Sequence, residues 1–581
     1  MKPNKSSLQT RRHSCSHVLA AAVLRLYPQT KLGIGPAIEN GFYYDFEFQK
    51  PIASKDFPKI EKEMAKIVKA DFPFKKKEIS IAEAKKLFKN QPYKLALIKD
   101  LESRGEKKVS LYQSGDFLDL CAGPHVESTG KVGFFKLLSL AGAYWRGNEK
   151  NPMLTRIYGT CFPTQEELNR YLKQRKEAAK RDHRKIGKEL DLFSFHPEAA
   201  PGDVFWHHKG LLLMRKLIEY WREEHEKRGY LEVRTPEILR NEIWRQSGHL
   251  QSYAEKIYRV ASPDSREWNM AIKPMNCNGG MIIFKTKQYS YRDLPIRMGE
   301  IGVVHRFESS GELHGIIRPR EFTQDDAHIF CTPDQIEEEI RGVMDLCFQF
   351  YHTFHLELDH LELSTRPEKS IGSDENWQRA EKIMKKVLDK SGVSYQINEG
   401  EGAFYGPKID FHLKDSMGRT WQCSTIQLDF AQPENFDLTY ITPQGNKARP
   451  VMIHRVIYGS LERFLGILIE NYAGAFPVWL APVQIAVIPI SDKQSEYARR
   501  VAQELRKESL RIEVFQENAT AGAKIRRAEK QKIPYMIIVG QKEEKNKTIN
   551  VRQRGERVIG EMKLEKFLTQ IKSEIEKKGI K

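Results

Sequence analysis

Apolar and polar residues change their spacing along the chain in a way that predicts several folded regions. An alanine- and leucine-rich run after Ser16 has helical character, and Pro28 ends it. Residues 41–48 alternate as a strand does, and an amphipathic stretch follows at 57–70. Charged helix formers dominate residues 165–189, which predicts a solvated connecting helix and the main boundary between regions.

The central region has both helical and strand periodicity. Apolar positions recur at helical spacing over residues 211–228, and Gly229 then favours a helix end. A short strand closed by a proline is predicted at 230–238. The same reasoning predicts a helix at 335–354, a strand at 421–430 and a glycine-broken helix at 451–470.

Residues 478–581 alternate strand and helix, which predicts a small α/β domain with a mostly parallel sheet. This segment holds 23 Lys+Arg and 14 Asp+Glu, a net charge of +9, which is half of the chain's +18. Such a balance is typical of a solvated surface or of a protein with a polyanionic partner, RNA or DNA. The concentration of charge in one segment favours the polyanion.

A length of 581 residues predicts several domains, and we place them at 1–164, 165–189, 190–477 and 478–581. The seven cysteines have no paired spacing, and residues 1–12 are polar and basic. We therefore expect reduced thiols and a cytoplasmic protein. No apolar run approaches the ~20 residues of a membrane-spanning helix, so no membrane partner is expected.

Residues 297–331 are rich in candidate chemistry, and we expect them to form a hairpin. Arginine suits planar, bidentate contact with phosphate, whereas carboxylates and an imidazole suit a metal or an amine. The stretch therefore predicts a site where a phosphate-bearing substrate meets a small polar one. Its candidate residues are Arg306, Glu308, Arg318, Gln324, Asp325, Asp326 and His328.

No GxxxxGK[ST] loop is present in the central region, so ATP would have to be held by arginines. Arg306 and Arg463, with magnesium, could supply the positioning and charge neutralisation that nucleotidyl transfer needs. Cys277, His328 and His454 form a candidate metal set without a CxxC or HExxH pattern. They are either three unrelated buried residues or three ligands of a zinc with an open fourth position.

Two pairs of residues in the N-terminal region have a spacing of four. His13 and His17 would share one face of a helix, and Cys121 and His125 repeat the spacing. Cysteine and histidine are often ordinary core residues. Together, however, the two pairs could form a four-ligand metal site or a hydrolytic cluster.

The central region resembles the class II aminoacyl-tRNA synthetases. GYLEVRTPEI is similar to their motif 1, which forms the dimer interface, HRFE to motif 2 and GSLERF to motif 3. The threonyl-tRNA synthetases of class IIa resemble the chain over almost its whole length. The strings that carry this resemblance are AIKPMNC, LHGIIRPREFTQDDAHIFC, EGAFYGPKIDF, WQCSTIQLDF, VMIHRVIYGSLERF and, near the N-terminus, HSCSH and DLCAGPH.

The resemblance implies a multidomain α+β and α/β fold. It predicts an N-terminal α+β editing domain, a class II catalytic core built on an antiparallel sheet, and a C-terminal α/β anticodon-binding domain. It also implies a homodimer that ligates L-threonine to tRNA(Thr) with ATP and Mg²⁺, and that hydrolyses mis-charged seryl-tRNA(Thr). Asn518 and Arg552 are the residues that we expect to contact the anticodon.

The family's active-site zinc, one per subunit, falls on Cys277, His328 and His454, where it would bind the amino and hydroxyl groups of threonine. Valine lacks the hydroxyl, but serine differs by one methyl group, worth only ~1–3 kcal/mol, so an editing site is needed. The resemblance assigns catalysis to Arg306, Glu308, Arg318 and Arg463, and substrate binding to Met275, Gln324, Asp326, Tyr405, Lys408, Gln422, Thr425, Gln427 and Ser460.

The resemblance assigns editing to six residues, and the cluster would either bind zinc or activate a water through histidine, as the family favours. They are His13, His17, Lys94, Asp119, Cys121 and His125.

The sequence departs from the family in two places. His13 lies almost at the start, so we expect the small domain that precedes it in many members to be absent. The common MNCPGH is MNCNGG, with Asn278 for proline and Gly280 for histidine, which leaves a catalytically impaired tRNA-binding relative as an alternative. Retention of Arg306 and Arg463 argues against impairment. The zinc set argues against a class IIa ligase for proline or serine.

Overall fold

The computed structural model describes residues 5–148, 150–264, 267–555 and 557–578. The chain divides into two units, Met1–Lys176 and Glu177–Lys581, and this division falls within the predicted connecting segment. Among the described helices, none combines the length and the apolar composition needed to cross a membrane.

Two antiparallel sheets and four helices build the first unit before the connecting segment. Its elements are α1 (Lys5–Leu26), β1 (Lys31–Leu32), β2 (Ala37–Ile38), β3 (Gly41–Glu47), α2 (Phe57–Ala70), β4 (Lys75–Ser80), α3 (Ile81–Leu87), α4 (Pro92–Ser103), β5 (Lys108–Ser114), β6 (Phe117–Leu120), β7 (Phe134–Tyr144) and β8 (Met153–Phe162). One sheet has the order β1-β3-β8-β7, with β2 paired to β3, and the other has the order β4-β5-β6.

The predicted helix and strand at the N-terminus pack on each other in this unit. The alanine-rich part of α1 is buried against β3 and α2, because small side chains allow close approach. Phe42, Tyr44 and Phe46 of β3 are fully buried, and Tyr43 is half-buried. Tyr44 is thus a core residue, on the same face of the strand as Phe42 and Phe46.

The connecting segment forms two helices, α5 (Gln165–Arg181) and α6 (His183–Glu189), so the prediction of one solvated helix was wrong. Asp182 separates them, because its Oδ1 accepts a hydrogen bond from the backbone N–H of Arg184 at 2.8 Å and so caps a new helix. His183 is fully buried and donates from Nδ1 to Glu470 at 2.8 Å. The second helix therefore belongs to the core of the second unit.

The central part of the second unit follows. Its elements are β9 (Phe193–Ser194), β10 (Phe205–Trp206), α7 (His208–Glu226), β11 (Leu231–Glu232), β12 (Ile238–Arg240), α8 (Asn241–Gln246), α9 (His249–Tyr253), β13 (Arg259–Val260), β14 (Met270–Ile272), α10 (Cys277–Lys285), β15 (Tyr289–Ser290), β16 (Ile296–His305), β17 (Glu321–Cys331), α11 (Ile336–Thr353), β18 (Glu357–Ser364), α12 (Asp374–Ser391), β19 (Tyr395–Asn398), β20 (Lys408–Lys414), β21 (Thr420–Asp429), α13 (Ala431–Asn435), β22 (Tyr440–Ile441), β23 (Lys447–Ala448), β24 (Val451–Val456) and α14 (Leu461–Tyr472).

An eight-stranded sheet dominates this part, with the order β11-β16-β17-β24-β21-β20-β18-β19. Its strands pair antiparallel except β11 with β16 and β18 with β19. Helices α11 and α14 pack on one face, where Ile329, Ile426 and Ile453 are fully buried. Because side chains alternate across a strand, the neighbouring residues His328, Gln427 and His454 point to the other face.

Strand β24 replaces the first half of the glycine-broken helix predicted at 451–470. It lies between β17 and β21 and has buried residues on both faces, so it lacks the alternation that separates a strand from a buried helix. Helix α14 begins only after Gly459, whose φ is +84°, and is capped by Ser460, which accepts from the Arg463 N–H at 3.0 Å. That prediction was therefore right only from residue 461.

The C-terminal part has a five-stranded sheet with the order β26-β25-β27-β28-β29. Its elements are β25 (Ile485–Pro489), α15 (Ser495–Lys507), β26 (Ile512–Val514), α16 (Ala521–Lys530), β27 (Tyr535–Val539), α17 (Gln541–Asn546), β28 (Ile549–Gln553), β29 (Arg557–Met562) and α18 (Leu564–Glu576). The first three strands are parallel and the last two pairings are antiparallel. The predicted strand–helix alternation is therefore present, with an antiparallel extension.

Truncation of Leu468 on α14 tests the packing of the main core. Leu468 is fully buried, so Leu468→Ala should destabilise the second unit by about 2–5 kcal/mol. Leu211 on α7 is 40% exposed, so Leu211→Ala should change stability by no more than about 0.5 kcal/mol. Thermal unfolding followed by near-UV circular dichroism measures both. Equal shifts of the two midpoints would contradict the packing of α14.

Candidate active site

A cavity of about 540 Å³ opens on the polar face of the eight-stranded sheet. Every central residue to which the resemblance assigned a role toward substrate or metal lines it, apart from Lys408. These lining residues are Met275, Cys277, Arg306, Glu308, Arg318, Gln324, Asp326, His328, Tyr405, Gln422, Thr425, Gln427, His454, Ser460 and Arg463. The fold thus brings together residues that lie up to 188 positions apart, since Met275 and Arg463 share one cavity.

Lys408 is held away from the cavity by Asp410. Its Nζ lies 2.6 Å from Asp410 Oδ2, and Asp410 Oδ1 accepts from Gln422 at 2.7 Å and from Thr425 at 2.8 Å. Asp410 is only 2% exposed. This buried carboxylate orients two of the predicted substrate-binding side chains, and Lys408 balances its charge.

Two guanidinium groups from different elements give the cavity a cationic side. Arg306 follows β16, donates to the carbonyl of Pro274 at 3.1 Å and lies over the ring of Phe322. Arg463 stands in the first turn of α14 and donates to the carbonyl of Gln422 at 3.3 Å. These contacts use few of the five N–H donors on each side chain, so donors in the guanidinium plane remain for an anionic ligand.

Glu308 joins a group of charges at the cationic side. It accepts from Arg318 at 3.0 Å and from Lys256 at 2.8 Å, and Glu312 binds the same two cations. Hydrogen bonds hold the pKa of the Glu312 carboxyl at about 2; the largest contribution comes from Lys256, followed by the side chain and backbone of Ser309. Sequence reasoning missed Lys256 and Glu312, because neither belongs to a motif.

The sulfur and nitrogen candidates form another wall of the cavity. Cys277 begins α10, and His328 and His454 lie directly opposite each other on β17 and β24, with ring centroids 5.1 Å apart. His454 Nε2 donates to Asp429 at 2.8 Å, and the ring of Tyr405 stacks on it at 4.7 Å. A carboxylate on the second nitrogen is the usual support of a metal-binding histidine.

The donor set of this wall fits zinc in chemistry, with one sulfur and two imidazoles. Burial keeps the pKa of His328 well below its usual value, so the imidazole is neutral. Three groups of His, Cys, Asp and Glu among the described residues bring all their ligand atoms within 4.8 Å, and this set is not one of them. It is therefore more open than the N-terminal cluster, which is one of the three.

Asp325 and Asp326 have separate tasks. Asp326 accepts from the Asn276 side chain at 2.7 Å and faces the cavity. Asp325 is fully buried and accepts three backbone N–H groups, those of residues 457–459, at 2.9–3.1 Å. Burial nevertheless raises the pKa of Asp325 to about 6. Asp325 thus fixes the turn that carries Ser460 and Arg463, a role that sequence reasoning did not assign.

His249 is a buried histidine that sequence reasoning missed altogether. Its Nδ1 donates to Ser247 at 2.7 Å, since the Ser247 hydroxyl donates to the carbonyl of Ile243. Its Nε2 therefore has a lone pair, 3.7 Å from Cys277 Sγ, and burial lowers the pKa of His249 to about 3. Asn278, the replacement for proline, also donates to Ser247, at 3.1 Å.

Gly280, the other departure, lies beside His328. A Cβ at this position would be 3.2 Å from His328 Nδ1. A side chain at this position would thus contact a candidate zinc ligand.

The N-terminal cluster gathers three imidazoles and a thiol. Cys121 Sγ lies 3.3 Å from His13 Nε2 and 3.3 Å from His125 Nε2, and the ring of His17 contacts both other histidines. Burial raises the pKa of the Cys121 thiol to about 11 and lowers that of His125 to about 2. At neutral pH the cluster therefore holds a thiol and neutral imidazoles.

Donor counting fixes the tautomers of two of these histidines. His13 Nδ1 must donate to the carbonyl of Pro124, 3.2 Å away. The Ser14 hydroxyl donates to the Thr10 carbonyl at 2.8 Å, so it accepts from His125 Nδ1 at 3.1 Å. Both Nε2 atoms then face Cys121 with lone pairs, and one S–H can satisfy only one of them. The cluster thus has a spare proton acceptor for a water or a metal.

Lys94 and Asp119 lie beside this cluster. Their ion pair is 2.6 Å long and both side chains are 2% exposed. Tyr44 donates to Asp119 at 2.5 Å, and Lys94 lies 3.1 Å from the Tyr44 hydroxyl. Asp119 is also 3.9 Å from His17 Nε2. All six predicted editing residues are therefore assembled, with Tyr44 and Ser14 as members that spacing did not reveal.

The two anticodon candidates lie on separate parts of the C-terminal sheet. Asn518 is exposed in the loop after β26, and Arg552 lies on β28. Strands β25 and β27 separate these two strands. The structure therefore does not join them in one side-chain cluster.

Family models match three segments of the chain. The tRNA synthetase class II core domain (G, H, P, S and T) matches residues 258–472, and the anticodon binding domain matches residues 484–574. The threonyl and alanyl tRNA synthetase second additional domain matches residues 109–158. The three matches occupy the same order as the three predicted domains.

Full-length relatives are similar throughout. The threonine–tRNA ligase of Acetivibrio thermocellus is 56% identical over 569 residues, which cover 98% of this chain and 88% of that protein. The Thermotoga maritima enzyme is 53% identical over 567 residues, covering 97% and 88%. A crystal structure titled as the RNA binding domain of threonyl-tRNA synthetase from Cryptosporidium parvum Iowa II is 41% identical. It has a TM-score of 0.65 and covers 68% of this chain and 98% of that one. The chain belongs to the threonine–tRNA ligase family.

Proposed function

We propose that the protein is a threonine–tRNA ligase. It activates L-threonine with ATP, so that the threonine carboxylate attacks the α-phosphorus and pyrophosphate leaves. The terminal ribose hydroxyl of tRNA(Thr) then takes the threonyl group from the adenylate. The observation that carries this proposal is a single cavity with Arg306 and Arg463 at one side and Cys277, His328 and His454 at another.

ATP occupies the cationic side. Arg306 holds the α-phosphate, Arg463 lies against the adenine and the γ-phosphate end, and Arg318 is a further phosphate contact. Magnesium accompanies the nucleotide, because phosphate charge must be neutralised in the absence of a protein nucleophile. Glu308 keeps Arg318 in place through their 3.0 Å hydrogen bond.

Threonine occupies the sulfur and nitrogen wall. Cys277, His328 and His454 would hold one zinc ion. The ion would act as a Lewis acid that an amino group and a neighbouring hydroxyl can chelate. Asp326 and Gln324 contact the amino acid, and Gln427 lines its pocket. Valine would leave the polar groups unpaired, whereas serine would still chelate.

The N-terminal cluster removes serine from mis-charged seryl-tRNA(Thr). The spare imidazole lone pair takes a proton from the attacking water, which is general-base catalysis without a metal. The neutral state of His125 supports this proposal, because a protonated imidazole could not act as base. The Lys94–Asp119 pair holds the cluster in shape.

The protein acts as a homodimer in the cytoplasm and binds tRNA(Thr) through its basic C-terminal part. Leu231 on the edge strand β11 is 56% exposed and Ile238 on β12 is 48% exposed. Two large apolar side chains left open on the motif 1 segment favour contact with a second copy. Asn518 and Arg552 are the proposed anticodon contacts.

Aminoacylation of tRNA(Thr) with threonine and with serine, with and without a zinc chelator, tests this function. Threonyl-tRNA should accumulate in the untreated reaction only, and seryl-tRNA should remain low while editing operates. Threonyl-tRNA formation by protein shown to be free of zinc would remove the metal from the proposal. Failure with both amino acids would overturn the ligase itself.

Replacement of Cys277 or of Cys121, one cysteine from each candidate site, should separate zinc-dependent activation from editing. Cys277→Ser should abolish zinc content at this site and threonine-dependent pyrophosphate exchange together, because the substrate chelate needs the metal. Cys121→Ser, the matched variant in the other cluster, should leave exchange unchanged and impair hydrolysis of seryl-tRNA. Normal exchange by a zinc-free Cys277→Ser protein would be incompatible with the assignment.

Ser14 should affect editing through the tautomer of His125. Ser14→Ala removes the acceptor of the His125 Nδ1–H, so seryl-tRNA hydrolysis should fall, within the roughly 10²–10⁴-fold that general-base catalysis contributes. Ser14→Thr keeps the hydroxyl and should retain most of the activity. Deacylation of preformed seryl-tRNA measures both, with threonine activation as the control. Equal loss in both variants would indicate a packing defect instead.

A further inference from the structure

A separate group of metal-ligating side chains lies on β18 and β20. His360 and His412 are direct cross-strand partners, and Glu362 is two residues beyond His360, so all three stand on one face of the sheet. Each side chain is about one fifth exposed, and none of the three lines the 540 Å³ cavity. No step of the proposed ligase or editing reactions uses them.

The spacing of the ligand atoms suits a small divalent cation. Their atoms all lie within 4.8 Å of one another. His360 Nε2 is 3.1 Å from Glu362 Oε1, and His412 Nε2 is 3.4 Å from Glu362 Oε2. Zinc bonds of about 2.0–2.1 Å in a tetrahedron place neighbouring ligand atoms about 3.3 Å apart. Two histidines and one carboxylate leave the remaining coordination position open.

The ligands have the outer hydrogen bonds that metal sites require. His360 Nδ1 donates to Asp359 at 2.8 Å, which directs its Nε2 toward Glu362. Asn398 on β19 donates to Glu362 at 3.2 Å, which orients the carboxylate. Such outer partners fix the tautomer and direction of ligating groups.

Hydrogen bonding alone leaves this group unsatisfied. Within the described chain, His412 Nε2 is a buried atom without a hydrogen-bond partner of good geometry, although Glu362 is near. A cation between the two imidazoles and Glu362 would give His412 Nε2 a partner.

Another close group of the second unit, Asp182, His183 and Glu470, shows the contrast. There Glu470 already accepts from His183 and forms an ion pair with Arg419. Its charge is therefore balanced by protein groups, and a cation would have to displace them.

We propose that His360, Glu362 and His412 bind a divalent transition-metal ion, with zinc as the best match to two imidazoles and one carboxylate. The ion clips β18 to β20 beside Gln422, the cross-strand partner of His412. It is distinct from the zinc proposed at Cys277 and does not depend on the ligase function. Its consequence is metal-dependent stability of the outer part of the eight-stranded sheet.

Zinc titration of a protein that lacks the Cys121 and Cys277 thiols tests the site. Metal-free protein carrying Cys121→Ser and Cys277→Ser should still bind a single zinc ion per chain, and zinc should raise its unfolding midpoint. Adding His412→Gln, or separately Glu362→Gln, should remove both effects. His352→Gln, at an exposed position of α11, is the matched control and should change neither. Circular dichroism confirms that each variant is folded.

Cobalt provides the independent readout. In the same background, bound Co²⁺ should give ligand-field absorption without a thiolate-to-cobalt band, because the ligands are nitrogen and oxygen only. His360→Gln should abolish that absorption. Absence of zinc binding in the background protein, or binding that survives His412→Gln and Glu362→Gln unchanged, would overturn the proposal whether or not the ligase function stands.

Discussion

The antiparallel register of β17 between β16 and β24 is the constraint on which the active site depends. It sets His328 opposite His454 and carries Asp326 to the same face. Since side chains alternate along a strand, a slip of one residue would turn these groups into the core. Asp325 ties the register to the next motif, because it holds the turn before α14 by three backbone hydrogen bonds. One strand thus positions both the sulfur and nitrogen wall of the cavity and the turn that presents Arg463.

Burial shapes both candidate sites in the same way. It keeps His328 and His125 neutral, and it keeps Cys121 protonated in the absence of a metal. Neutral imidazoles are what a metal site and a general base both require. In the proposed function the two sites divide the problem of specificity, because a hydroxyl is easily recognised by a polar site, whereas one methyl group gives only ~1–3 kcal/mol. The proposed chelating site for activation and the proposed hydrolytic site for serine would together answer that asymmetry.

The sequence predicted the elements that have a clear period or a strong boundary, such as β3, α2 and the hairpin of β16 and β17. It misjudged β24, because a strand buried on both faces has no alternation. Motif resemblance identified the cavity residues, except that Lys408 is drawn to Asp410. Side chains whose role arises from contacts between distant elements could not be predicted. Asp410, Ser14, His249 and the pair of His360 with His412 acquire their neighbours only when the sheet and the helices have assembled.

The central claim is that one cavity activates threonine through a chelate, and amino-acid-dependent ATP–pyrophosphate exchange tests it most directly. Threonine should drive exchange best, serine should follow within about 10–200-fold, and valine should be weaker by about 10⁴–10⁵-fold because it leaves polar groups unpaired. Proline should give only background exchange. Exchange driven better by proline or serine than by threonine, or equally by valine, would contradict the account.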